Sequence, residues 1–129
     1  MKKINKVTVK LIALSLCSLF LIACENDPVI SFSKDVKPIL DKNCSQCHQA
    51  GGQGQVASGF SMDSYSSLMK GTNYGPMVVA GDAEGSNMLV LMEGRADPSI
   101  SMPHGTEKPV SKENIRTIRQ WIEQGAKNN

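Results

Sequence analysis

The run Cys44-Ser45-Gln46-Cys47-His48 constrains this chain more than any other stretch. On one helical turn, thiols at i and i+3 lie on the same side with the imidazole at i+4 beside them. Two thioether bonds to haem vinyl groups can then form while His48 reaches the iron. Five residues with three fixed identities are a specific signal for c-type haem attachment. Other uses of these side chains fit less well. A thioredoxin-like pair wants a strand before it and a sheet around it, and the sequence offers neither. A zinc site needs a fourth ligand, usually from a second ligand pair, and His104 is the only other histidine. A plain disulfide leaves His48 without a role. The motif therefore predicts one covalent haem c with its iron, held by Cys44, Cys47 and His48. Such a group also answers a problem of composition. With 129 residues, 5% of them aromatic, the chain has room for one small domain with a thin interior, which the macrocycle would fill.

The first 23 residues read as a signal peptide rather than part of the fold. Lys2, Lys3, Lys6 and Lys10 precede an apolar run, Leu11 to Ala23, broken only by Ser15, Cys17 and Ser18. The run is short for a membrane span. It ends in Leu21-Ile22-Ala23-Cys24, which resembles the lipobox of bacterial lipoproteins. That resemblance implies cleavage before Cys24, lipidation of Cys24 and a membrane anchor in the bacterial cell envelope, on the periplasmic or cell-surface side, with the outer membrane favoured. Residues 24–31 then form a lipidated tether that lifts the domain off the membrane. From Cys24 onward the chain has 10 basic and 12 acidic side chains, so nucleic-acid binding loses its electrostatic support. Cys17 leaves with the signal and Cys24 takes lipid, so only Cys44 and Cys47 remain in the domain.

The rest reads as short helices between glycine-rich loops, an all-α domain over residues 32–127. Phe32, Val36, Ile39 and Leu40 recur at helical spacing, with Ser33 as a cap and Pro38 near the first turn. Shorter helices are expected over Ser64 to Met69 and Ser86 to Met92. The last helix is best defined. Ser111 is its N-cap, Glu113 lies in the first turn, Val110 can staple onto Ile115, and Gly125 ends it. Ile115, Ile118, Trp121 and Ile122 form its apolar face, with Trp121 expected in the core. Gly51-Gly52-Gln53-Gly54 lacks the lysine and hydroxyl residue of a phosphate loop, and its glycines let the backbone pass close to the haem.

Haem iron has a second axial position, which is left open for ligand chemistry or filled for electron transfer. Met62, Met69, Met88 and Met92 fall in or beside helical segments, where core packing is the default. Met77 lies in a loop beside Pro76. Met102 lies in a non-helical stretch before Pro103, where a loop can aim its thioether back at the haem. The residues alone leave Met102, His104 and Met77 all open as the distal ligand.

Taken together, Val36-Lys37-Pro38-Ile39-Leu40 before the Cys44 motif, Gly59-Phe60-Ser61-Met62-Asp63-Ser64-Tyr65, Gly81-Asp82 with Ser86 and Leu89, Met102-Pro103, and Trp121-Ile122-Glu123-Gln124-Gly125-Ala126 resemble the planctomycete-type cytochrome c domain. The resemblance implies a small class I cytochrome c fold of short helices around a covalent haem on Cys44 and Cys47. It also implies His48 as proximal and Met102 as distal ligand. Two departures stand out. Ser101 and His104 flank Met102-Pro103 where the family often has arginine and proline, so His104 is a competitor for iron, and Ala80-Gly81 stands where Pro-Gly is common. Such domains are often fused to larger modules, and no substrate site is legible here. The expected function is therefore an exported, lipid-anchored electron carrier and not an enzyme. It would meet redox-partner proteins through the haem edge near the Cys44 to Gly54 loop. The alternatives are an electron-transfer subunit of a larger dehydrogenase or oxidase complex, or a haem sensor or peroxidase with an open sixth site.

Overall fold

The computed structural model describes residues 27–104 and 108–129. The signal segment and Cys24 lie outside these residues. Among them the chain is helical. A π-helical turn, Phe32–Val36, leads into α1, Lys37–Asn43, followed by the single turn α2, Ser45–His48, then α3, Gln53–Ser58. The remaining helices are α4, Tyr65–Lys70, α5, Asn87–Met92, and α6, Lys112–Glu123. The only extended pairings among the described residues are two isolated bridges, Thr72 with Gly75 and Val79 with Asp82. No described helix is long and apolar enough to cross a membrane.

The first helical segment starts two residues earlier than the sequence suggests. Ser31, not Ser33, is the cap, its hydroxyl accepting from the Lys34 N–H at 3.3 Å. Ser33 is engaged elsewhere, its N–H and hydroxyl both donating to the Asn129 carbonyl at 2.9 Å. Pro38 falls in the first turn of α1, where its missing N–H costs nothing. Ser64 caps α4 in a reciprocal box with Ser67, and Ser111 caps α6 by accepting from the Asn114 N–H. Ser86 stands at the N-cap of α5 but turns inward. Its hydroxyl donates to the Asp82 carbonyl at 2.7 Å and accepts from the Val79 N–H at 2.9 Å, which holds the preceding loop.

The core joins the two ends of the domain. Phe32, Val36 and Leu40 pack with Leu68, Leu89, Ile118, Trp121 and Ile122. Phe32 lies 5.4 Å from Trp121 and 5.2 Å, edge to face, from Tyr65. The buried Trp121 ring donates its N–H to the Lys127 carbonyl at 2.9 Å, so the expected core role of Trp121 holds. Met62 and Met88 are buried, and Met69, Met77 and Met92 pack against this core.

Residues assigned to the tether are partly absorbed by the domain. The Ile30 N–H donates to Gln124 Oε1 at 2.8 Å, and Gln124 Nε2 donates to the Pro28 carbonyl at 3.0 Å. Backbone polar groups beside the core need partners, and the glutamine side chain supplies both a donor and an acceptor to the segment before Ser31.

An ion-pair cluster fixes α5 on α6. Arg119 Nη2 reaches Glu93 at 2.6 Å and Nη1 reaches Glu84 at 2.5 Å, while Arg95 Nε meets Glu93 at 2.7 Å and Nη1 meets Glu84 at 3.3 Å. Burial pushes the Glu93 carboxyl up, but the hydrogen bonds from Arg119 and Arg95 outweigh it and leave its pKa below the usual carboxylate value. A carboxylate lowered in the folded state stabilises fully above its unfolded pKa, and that contribution is lost as pH falls through the folded value. Urea titrations at a series of acidic pH values should therefore show Glu93→Gln losing less stability on acidification than the parent. An unchanged acid slope would remove this cluster from the acid sensitivity of the fold.

Candidate functional site

The chain breaks direction at Cys44, whose φ of −130° separates α1 from the one-turn α2. The His48 and Cys47 N–H groups both point back to the Cys44 carbonyl, at 3.0 and 3.1 Å, so the three motif side chains share one turn as their spacing predicts. Both cysteines are free thiols. Burial pushes the Cys44 thiol up to about 11, and the neighbouring Cys47 adds to the rise. A thiol titrating there stays protonated at neutral pH, unlike the lowered thiol of a disulfide oxidoreductase. Nor do any three His, Cys, Asp or Glu side chains among the described residues converge as a metal site, which leaves zinc without its donor set.

His48 is 8% exposed. Its Nδ1 lies 3.1 Å from the Phe60 carbonyl oxygen, and the rings of His48 and Phe60 meet edge to face at 5.4 Å. A carbonyl oxygen only accepts, so Nδ1 carries the proton and Nε2 keeps its lone pair for a metal. Backbone bonds hold the Phe60 segment in place. The Met62 N–H donates to the His48 carbonyl at 2.8 Å and the Ala50 N–H to Asp63 Oδ2 at 2.9 Å.

The helix α3 has no apolar signature, and its first residues read as a loop from the sequence. Its physical basis is contact with the motif. A Cβ on Gly52 would lie 2.5 Å from the Cys47 carbonyl oxygen, and one on Gly54 would lie 2.8 Å from His48 Cε1 and 3.0 Å from Nε2. Glycine is thus required for α3 to lie against α2. Gln53 Nε2 also lies 3.4 Å from the Cys47 sulfur, placing a donor on it.

These residues fit a covalently held haem. They supply two thiols on one face and an imidazole whose free nitrogen is fixed by its other hydrogen bond. A glycine backbone stands beside that imidazole, where any side chain would crowd it. Met102 comes from a separate segment. Its N–H donates to the Leu91 carbonyl at 3.1 Å, so the loop hangs from the end of α5, and the side chain is half-buried. His104 is exposed, in keeping with a solvent-edge side chain.

Comparison with known families supports one of the chemistries this turn allows. Residues 44–104 match the family model described as Planctomycete cytochrome C. This segment is similar to the planctomycete-type cytochrome c family. The match begins at Cys44 and ends at His104, so the motif and the Met102-Pro103 pair both lie inside it. No curated protein and no solved structure matches the chain at a significant level. Cytochrome c domains of this kind imply covalent haem c with iron and haem-based electron transfer. The site residue that sequence reasoning leaves without a role is Phe60, and within the Gly51 to Gly54 run it gives no sign of the Gln53 contact with Cys47. Phe60 lies in the Gly59 to Tyr65 run that carries the resemblance, but nothing in that run marks a backbone carbonyl as the partner of His48.

Replacing glycine by alanine inside a helix ordinarily stabilises by up to about 1 kcal/mol. At Gly54 the sign should reverse. His48 is buried and held by Phe60, so the methyl forces a shift costing about 1–3 kcal/mol. Urea denaturation of Gly54→Ala checks this, and a more stable variant would mean that α3 does not press on the imidazole.

Proposed function

We propose that this protein is an exported, lipid-anchored electron carrier with one covalent haem c, ligated by His48 and Met102. The observation that carries the reading is the His48 contact with the Phe60 carbonyl, which fixes the tautomer a metal needs, on the same turn as two free thiols. The bound haem supplies one-electron exchange between ferrous and ferric iron.

The protein's own residues do the rest. Cys44 and Cys47 hold the macrocycle through thioether bonds, which prevents its loss during turnover. His48 offers Nε2 in a fixed direction, and its Nδ1–H bond to Phe60 raises the basicity of the ring. Met102 offers a thioether from the loop hung on Leu91. Held by His48 and Met102, the group would supply a higher reduction potential than one held by two histidines. Cys24 carries the lipid. Redox partners dock briefly at the surface around the Cys44 to Gly54 loop.

Met102→Ala should keep covalent haem and lose the weak long-wavelength absorption band of methionine-to-iron ligation, whereas His104→Ala should leave the spectrum nearly intact. Absorption spectra of the ferric variants decide the matter. A Met102→Ala spectrum identical to the parent would exclude Met102 as ligand, and a parent that lacks the band but changes its spectrum in His104→Ala would move ligation to His104.

A further inference from the structure

The tether was expected to hold the domain off the membrane, yet its last residues belong to the domain. Pro28 and Ile30 are bound by the Gln124 side chain. Directly after Ile30, the Ser31 hydroxyl donates to the Asn129 carbonyl at 2.8 Å, and the Phe32 N–H donates to Asn129 Oδ1 at 2.8 Å. Together with the two bonds from Ser33, these form a seam between residues 28–33 and 124–129. Val29, Ile30, Trp121, Gln124, Lys127 and Asn129 line a shallow depression of about 220 Å³ along it.

Only residues 25–27 then separate Cys24 from the seam. Even fully extended, the four steps from Cys24 to Pro28 span about 14 Å. A lipidated Cys24 lies at the bilayer surface, so the seam cannot leave it by more than roughly that distance. Val29 adds a second pointer. It is 75% exposed and lines the seam depression, so it is available to a lipid surface there. The Cys44 to His48 turn lies at the opposite end of the first helical rod. The π-helical turn Phe32–Val36 and α1 lie between it and the seam, and the seven residues of α1 alone span about 10 Å.

We propose that the seam face, around Val29, Gln124 and Lys127, rests against the lipid surface and that the haem-bearing end faces the water. This rests on the reading of Cys24 as the lipidated residue. A consequence is that electron exchange takes place with partners in the aqueous phase and not with carriers dissolved in the bilayer.

Two exposed lysines, Lys127 in the seam and Lys42 beside the motif, give a direct test. The haem-loaded, full-length lipoprotein is placed in vesicles of phosphatidylethanolamine and phosphatidylglycerol and treated with an acetylating ester. Peptide mass spectrometry then reads the rate at each lysine. The expected result is several-fold slower modification of Lys127 than of Lys42. An insertion of about twelve Gly and Ser residues after Asp27 should relieve the protection, because a long flexible linker frees the domain. Equal rates at the two lysines, or protection that survives the insertion, would overturn the proposed orientation. The intact mass of the mature protein is taken first. Lipid on Cys24 with equal lysine rates removes only the orientation, whereas a mass without lipid removes the anchor and the orientation with it.

Discussion

The hydrogen bond between His48 Nδ1 and the Phe60 carbonyl is the constraint on which the rest of the site depends. An imidazole has two nitrogens and one proton to share between them, and without a fixed partner either can face the metal. Giving Nδ1 to a backbone carbonyl settles the question for Nε2. The same bond requires the Gly59 to Asp63 segment to return to the motif, which is why Met62 and Asp63 are themselves tied to His48 and Ala50. It also leaves α3 little room, and glycines at 52 and 54 are the consequence.

Around this turn the chain is built in two parts with different physics. The Phe32, Trp121 and Ile118 side is held by apolar burial and aromatic contact, and would be recognisable in any small helical domain. The α2 and α3 side buries little apolar surface of its own. It is held by hydrogen bonds, close backbone contact and, in the proposed holoprotein, by the macrocycle. The Arg119 cluster ties α5 to α6, and the Met102 bond to Leu91 hangs its loop on α5, so His48 and the proposed ligand Met102 sit on separate segments of one chain.

Much of this was legible in the sequence, for reasons that can be named. Cys44, Cys47 and His48 could be placed together because helical geometry fixes what i, i+3 and i+4 share. The α6 helix could be placed because its cap, its staple and its apolar face agree. The Ser31 cap was hidden because Ser33 looks equally suitable until Asn129 takes its hydrogen bonds. The α3 helix was hidden because only Val56 gives it hydrophobic character, and periodicity reports burial rather than backbone contact. The role of Phe60 was hidden for a deeper reason: a carbonyl belongs to every residue, so no side-chain pattern marks the one that will bind a histidine. The seam of Gln124 with Pro28 and Ile30 is of the same kind, a polar contact across nearly the whole length of the chain.

The central claim is that this turn carries a haem bonded through both cysteines. Trypsin releases it whole, since no lysine or arginine lies between Lys42 and Lys70. The mass of the Asn43–Lys70 peptide, from protein matured by a c-type haem attachment system and treated with a thiol alkylating agent, is the most direct measurement. One haem on the peptide with no alkylated cysteine is the predicted result. A peptide without haem, whether carrying two alkylated thiols or an internal disulfide, would contradict it.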